Sequence, residues 1–163
     1  MEQGGQMASP SDVKMASPYQ HILEACASCW SGSFIAGTIN SDNCSGFVKA
    51  VAIKLGVPIP DKNADGIVDY LDNNDDWARD YSGSDAARFA AAGQFIIAGL
   101  KSDEHTPPRS QGHVAIVVPG PLYRNIYPLV WCGSTGSAQS KGTLSVGQVW
   151  NTKDRDNVAY YAF

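Results

Sequence analysis

The chain changes from a helical to a strand-like pattern of apolar residues near position 93. The strongest helical period lies in residues 44–55, whose apolar side chains recur at steps of three and four: Cys44, Phe47, Val48, Val51, Ala52 and Leu55. Steps of that size place side chains on one face of a helix. Asn43 is suited to cap this helix and Gly56 to end it.

Three further helices are predicted before position 93. Ser17 is followed by proline, a pair that is typical of a helix start with serine as the N-cap. Residues 64–72 form another predicted helix, and Ser84 is expected to cap an alanine-rich helix over 84–92. The first half of the chain is therefore expected to be helical.

The second half contains short runs of β-branched and aromatic residues separated by Gly, Pro, Asn and Ser. These runs predict strands over 94–100, 113–118, 129–132, 146–150 and 158–163. Helices followed by strands favour an α+β domain with an antiparallel sheet. No linker divides residues 17–163, which are expected to form a single domain, whereas residues 1–16 are expected to be a flexible leader.

Composition limits the partners that such a domain can take. The chain has 163 residues, of which 44% are hydrophobic and 17% charged, with a net charge of −4. This acidic balance disfavours nucleic acid and anionic lipid as partners. No apolar run approaches the ~18–20 residues of a membrane span, and the first segment has no hydrophobic centre typical of a secretory signal. We expect a monomer that neither inserts into membranes nor binds nucleic acid.

Cys44 lies in the first turn of the best-defined predicted helix. Unpaired backbone N–H groups and the positive end of the helix dipole stabilise a thiolate at such a position, which lowers the thiol pKa. The same N–H groups are suited to hold an oxyanion. The alternative is a buried, apolar cysteine on the inward face of the helix.

His113 opens the apolar strand over 113–118 and follows a glycine. If that strand pairs behind the cysteine helix, the imidazole faces the sulfur and forms the thiolate–imidazolium pair of cysteine hydrolases. The alternative is a structural histidine at a strand edge. His21 and His105 lie in polar settings and are expected at the surface.

These two motifs, NCSGFV and GHVAIVV, resemble those of the NlpC-type papain-like cysteine peptidases. The resemblance is closer to one bacterial group, the family-one type VI secretion amidase effectors. Matching stretches run in order across residues 19–161: AGT, DNCSGFV, LGVPIP, FIIAGLK, GHVAIVV, GPLYRNIYP, WCGS and SVGQVWN. The match therefore covers nearly all of the predicted domain.

The resemblance implies a papain-like fold in which the nucleophile begins a helix that packs on the sheet. It implies an antibacterial toxin, a DL-endopeptidase that cleaves the γ-D-glutamyl–meso-diaminopimelate bond of peptidoglycan stems without a cofactor. Cys44 maps onto the family nucleophile and His113 onto its general base. The implied partners are the type VI secretion machinery, which delivers the toxin without a signal peptide to the periplasm of a recipient Gram-negative cell, and a cognate periplasmic immunity protein.

A third catalytic member is less clearly indicated. Papain-like sites use a polar group to orient the imidazole. Cys132, within WCGS on the next predicted strand, is the candidate, although a thiol orients imidazole weakly. A backbone carbonyl and Ser134 are alternatives for that role, and the alternative for Cys132 is a core residue. Phe34 stands near the place where the wider family carries an oxyanion-side tyrosine.

Residues 61–72 fit the pattern of an EF-hand calcium loop. The ligand positions are occupied by Asp61, Asn63, Asp65, Asp69 and Asp72. Prolines 58 and 60 stand where the incoming helix should end, so we favour an acidic, capped helix start over a structural calcium site.

The CxxC pair, Cys26 and Cys29, resembles half of a zinc or redox site. The other two cysteines are isolated, so we favour two small residues on one helix face.

Two other hypotheses remain beside the amidase. One is a housekeeping cell-wall cysteine hydrolase or an acyltransferase that uses the same pair, Cys44 and His113. The other is a non-enzymatic calcium-binding interaction module built around residues 61–72, in which Cys44 is merely packed.

Overall fold

The structure, a computed structural model, describes residues 17–136 and 138–163. The predicted leader over 1–16 lies outside these residues. Five α-helices are described: α1 Gln20–Cys29, α2 Cys44–Leu55, α3 Ala64–Asn73, α4 Gly83–Ala91 and α5 Val146–Val149. The described strands are β1 Ile96–Leu100, β2 His113–Tyr123, β3 Tyr127–Cys132, β4 Ser140–Ser145 and β5 Ala159–Ala162. The predicted α+β class is confirmed.

The five strands form one antiparallel sheet in the order β4-β3-β2-β1-β5. Helices α1, α2 and α3 pack on one face of the sheet, where Ile97, Val114 and Ile116 point into their core. Helices α4 and α5 cover the other face, toward which Ala98, Ala115 and Val117 point. Successive side chains along β1 and β2 point to opposite faces of the sheet, and both faces are buried under helices. The order along the chain, in which the main helices precede an antiparallel sheet, agrees with the papain-like arrangement that the motifs imply.

Helix α2 forms as its local sequence predicts. The Asn43 side chain accepts a hydrogen bond from the Gly46 N–H at 3.0 Å, which satisfies a donor that the first turn leaves free. Gly56 ends the helix in the left-handed region, with φ 71°.

Two predicted helix caps are wrong. Helix α1 begins at Gln20, and Ser17 contributes only its carbonyl, which accepts the Gln20 N–H at 2.9 Å. Helix α4 begins one residue before Ser84, because Ser82 accepts the Asp85 N–H at 3.0 Å and Asp85 reaches back to the Ser82 N–H.

The end of the sheet also differs from the prediction. Residues 146–150 were predicted as a strand, but α5 forms there, since the Gln148 side chain accepts the Ser145 N–H at 2.9 Å and closes a helical turn. Strand β4 was not predicted, because its polar sequence lacks the usual strand pattern. Strand β2 runs on to Tyr123, beyond the predicted end at residue 118.

The CxxC cysteines lie in α1 as apolar packing residues. Cys26 is buried and Cys29 half-buried, and both are free thiols that pack against the core shared with α2. In the parts of the chain that the structure describes, no helix is long and apolar enough to cross a membrane.

Candidate active site

The predicted nucleophile and base line the same cleft. Cys44 at the start of α2 and His113 at the start of β2 both face a cavity of about 770 Å³. The wall also includes the polar or aromatic residues Asp42, Asn43, Ser45, His105, Arg109, Ser134 and Trp150. The topology thus brings together two residues that are far apart in the sequence.

Asn43 fixes the position of the cysteine. Its side-chain oxygen accepts the Gly46 N–H at 3.0 Å and the Ser45 hydroxyl at 3.1 Å, so the helix begins at Cys44. The backbone N–H groups of Val114, Ser45 and Cys44 itself lie near the thiol and favour its charged form. Val114 follows His113 in β2, so the sulfur lies close to the strand that carries the histidine.

The WCGS segment and Gln139 hold the turn before Cys44 against the sheet. The Ser134 N–H donates to the Ser41 carbonyl at 3.0 Å, and the Gln139 side chain donates to Asp42 at 2.8 Å. A Cβ atom on Gly133 would overlap the Asn40 carbonyl oxygen and lie 2.9 Å from that of Asn43. Only glycine allows this approach of two backbones, which sets where the α2 start lies relative to β3.

The thiol of Cys44 is protonated in the resting site. Burial raises its pKa above the ordinary value, and this effect outweighs the opposing influence of the backbone N–H groups and of Lys49. The lowered pKa that its place at a helix start predicts is therefore wrong for the resting protein. Desolvation of the charged form is the physical reason.

His113 is likewise a neutral imidazole in the resting site. Burial, followed by the nearby charges of His105 and Arg109, lowers the pKa of His113 to about 4. Its ring lies edge-on to Trp150 with 4.9 Å between centroids, and its Nε2 is buried without a hydrogen-bond partner. The pair therefore rests as thiol and imidazole, not as the expected thiolate–imidazolium pair, and the imidazole is free to accept a proton.

The burial of His113 predicts a loss of stability in acid. A folded-state pKa of about 4 lies below the ordinary histidine pKa of 6.5, so the unfolded chain binds the proton first as the pH falls. Above pH 6.5 the neutral ring makes its full contribution to the free energy of unfolding. As the pH falls to 4, that free energy decreases by up to about 3 kcal/mol. Urea unfolding at pH 7 and pH 4 measures it. The His113→Gln variant should lose less stability over that interval, and an equal loss in both proteins contradicts the assignment.

Cys132 lies beside the nucleophile but is engaged elsewhere. It is buried, and its thiol donates to the Ala138 carbonyl at 3.2 Å. Burial, and then the proximity of Cys44, raises the pKa of Cys132 to about 12. Among the described residues, no hydrogen bond joins Cys132 to His113, and the Ser134 hydroxyl accepts the Gly136 N–H at 3.1 Å.

Phe34, near the predicted place of an oxyanion-side tyrosine, lies outside the cleft wall. Its ring packs under the Lys49 ammonium, 4.8 Å from the ring centroid, and borders a separate shallow groove.

His105 is a site residue that the sequence analysis missed. It was expected at the surface, but it is only 3% exposed and lines the cleft. The segment between β1 and β2 is polar and rich in proline, so nothing in its composition indicates burial. Long-range contacts of this segment bury the ring, and these have no local sequence signal.

The five candidate calcium ligands do not converge. Helix α3 begins at Ala64, so the residues that would wrap around an ion are helical instead. Each candidate side chain has another partner: Asp61 with Lys49 at 3.0 Å, Asn63 with the Gly66 N–H at 2.9 Å, Asp65 with the Ser102 N–H at 2.8 Å, Asp69 with Lys101 at 2.9 Å, and Asp72 with Tyr161 at 2.6 Å. Over residues 17–136 and 138–163, no three His, Cys, Asp or Glu side chains are placed to hold a metal ion. The acidic, capped helix start is the interpretation that fits these contacts.

Calcium is accordingly expected to leave the stability unchanged. A ligand that binds only the folded state at 100 times its Kd would add about 2.7 kcal/mol and raise the Tm by several degrees. Thermal unfolding with 5 mM EDTA and with 5 mM CaCl2 should give the same Tm. A rise that the Asp65→Asn variant removes would instead establish a calcium site in this segment.

Comparison with known proteins identifies a family. No family model matches the chain. The chain is 51% identical over 146 residues to the peptidoglycan amidase Tse1 of Pseudomonas aeruginosa, an alignment that covers 88% of this chain and 90% of the relative. Because identity at this level extends over nearly all of both chains, the protein belongs to the family of Tse1, the family-one type VI secretion amidase effectors whose motifs it shares.

Proposed function

We propose that the protein is an antibacterial peptidoglycan amidase, a DL-endopeptidase that cleaves the γ-D-glutamyl–meso-diaminopimelate bond. The observation that carries this proposal is near-full-length identity to a peptidoglycan amidase in a chain whose Cys44 and His113 line one cleft. Arg109 on the cleft wall is half-exposed and offers a guanidinium to the carboxylates of the peptide stem.

The neutral resting pair is suited to general-base catalysis. As the Cys44 sulfur attacks the γ-carbonyl carbon of D-glutamate, His113 accepts the thiol proton, and the C–S bond forms. The carbonyl oxygen then carries negative charge, which the backbone N–H groups at the α2 start are placed to stabilise. Charge thus develops during the reaction, in a site that is neutral beforehand.

The imidazolium then returns the proton. It protonates the amine of diaminopimelate as the C–N bond breaks, and a γ-glutamyl thioester remains on Cys44. His113 next removes a proton from a water molecule that attacks the thioester, and the carboxylate product and the thiol are released. Each proton that His113 takes is given back, so the reaction needs no cofactor.

Delivery and inhibition follow from the proposed role as a toxin. Type VI secretion machinery carries the protein into the periplasm of a recipient Gram-negative cell, where peptidoglycan is accessible. A producing cell must protect its own wall, and a cognate periplasmic immunity protein that covers the cleft provides that protection. The family membership supports both proposals.

The other two hypotheses are not favoured. The calcium-binding module lacks a converging ligand set in the described residues, and its Cys44 lines a cleft together with His113. A housekeeping hydrolase or an acyltransferase would use the same pair of residues, but the relative at 51% identity is an amidase of the effector family.

Digestion of purified peptidoglycan tests the proposal. The wild-type protein should release fragments that end at D-glutamate and begin at diaminopimelate, which mass spectrometry identifies. Cys44→Ala should release none, whereas the matched control Cys29→Ala, at a half-buried cysteine outside the cleft, should behave as the wild type. Intact stems after digestion with the folded wild-type protein would overturn the proposed function.

A further inference from the structure

The catalytic imidazole lacks the orienting partner that its chemistry calls for. An imidazole that takes a proton from a thiol becomes doubly protonated, and its second N–H then needs an acceptor. The Nε2 of His113 is buried and has no hydrogen-bond partner. Leaving such a buried group unpaired is unfavourable, and more so when the ring is charged.

His105 has the properties of the missing acceptor. Its ring is buried in the wall of the cleft that His113 also lines. Its Nδ1 lies 2.9 Å from the Lys101 carbonyl oxygen, and a carbonyl only accepts, so Nδ1 carries the hydrogen. The neutral ring therefore has an unprotonated Nε2, which is free to accept a hydrogen bond.

Several hydrogen bonds fix the segment that carries His105. The Ser102 N–H donates to Asp65 at 2.8 Å, and the Arg109 N–H donates to the Ser102 carbonyl at 2.9 Å. The Thr106 N–H donates to Asp154 at 2.7 Å, and Asp154 is fully buried. The His105 ring is thus anchored on both sides of its position in the chain, as a positioning group requires.

We propose that His105 is a positioning residue for His113: its Nε2 accepts a hydrogen bond from the Nε2–H of His113 when that ring takes the thiol proton. The two rings are not hydrogen-bonded in the resting structure, and catalytic hydrogen bonds commonly tighten only when substrate binds. The inference rests on the proposed function for its biological meaning, but it concerns the pair of residues itself.

The ionisable groups around the His113 ring are Cys44 from α2 and His105 and Arg109 from the segment before β2. The Arg109 guanidinium lies 4.0 Å from the buried Asp154 carboxylate, which offsets its charge.

Two substitutions separate positioning from packing. His105→Gln keeps an amide oxygen that accepts and an amide N–H that donates to Lys101, whereas His105→Leu keeps only volume. With a soluble stem peptide as substrate, we expect His105→Leu to lower kcat about 10- to 100-fold and to change KM by no more than about twofold. We expect the kcat of His105→Gln to be close to that of the wild type. The exposed His21→Leu should match the wild type.

The two variants together separate a hydrogen-bond acceptor from a charge. If His105 acted only through its charge, His105→Leu and His105→Gln would change kcat equally, which would overturn the proposal. If His105→Leu does not fold, His105→Ala, which also lacks a hydrogen-bond acceptor, takes its place in the comparison.

A second readout does not depend on peptidoglycan. The rate at which iodoacetamide alkylates Cys44, measured by mass spectrometry of its peptide, requires only proton transfer to His113. It should fall in His105→Leu and recover in His105→Gln, and equal rates in all proteins would overturn the proposal. Intact peptidoglycan together with this alkylation pattern would overturn the proposed function alone.

Discussion

Replacing His113 with glutamine is expected to lower kcat/KM on peptidoglycan about 1,000-fold, within the range that a general base contributes. The amide cannot take the thiol proton, and burial keeps the Cys44 thiol protonated in the resting site, so the sulfur reacts only when a base removes its proton. Timed digestion with quantitative mass spectrometry of the released fragments measures the loss.

The fold should survive this substitution. Glutamine is similar in size, and His113 contributes its backbone to the pairing of β2 with Leu100 of β1. A Tm close to that of the wild type at pH 7 therefore accompanies the loss of activity, and His21→Gln, at an exposed position on α1, is the matched control. Activity within tenfold of the wild type would contradict the assignment of His113 as the base.

Replacing Gly133 with alanine is expected to cost roughly 3 kcal/mol or more of stability and at least tenfold in activity. The added Cβ would overlap the Asn40 carbonyl oxygen, and both partners are backbone, so no side chain can move away. Relief requires that the turn before Cys44 shift from the sheet, and this shift displaces the sulfur from His113. A small misplacement of reacting groups reduces the rate strongly.

Gly136→Ala provides the control for that experiment. Gly136 lies three residues further along the chain, where a Cβ would meet only the Ser134 hydroxyl at 3.9 Å. Urea unfolding and digestion rates should be those of the wild type for Gly136→Ala and clearly lower for Gly133→Ala. Equal stability of the two variants would contradict the proposed role of the backbone contact at Gly133.

The resting protonation states bear on how the protein survives before it acts. A thiolate reacts with oxidants and disulfides much faster than a thiol does. Because burial raises the pKa of Cys44, the resting thiol is expected to react with oxidants and disulfides more slowly than a thiolate at the same position would. The same burial that opposes early ionisation of the thiol keeps His113 neutral and ready to act as a base.

The elements that the sequence predicted well are those whose signals are local. Helix α2 has its cap, its apolar period and its terminal glycine within fourteen consecutive residues, and the structure reproduces all three. The prediction failed at α5, because an apolar run this short fits a strand or a helix equally. It missed β4, whose polar residues are held by pairing with β3 and not by their own propensity.

For the site, local patterns were enough to predict that Cys44 begins a helix and that His113 begins a strand, because capping and apolar periodicity act over a few neighbouring residues. The remaining features of the site depend on contacts between distant parts of the chain. The protonation of both groups depends on burial, which many distant residues create together, and it reversed the expected charge of the pair. The burial of His105 and the separate partners of the acidic residues in 61–72 likewise arise from contacts between remote segments, which no local pattern records.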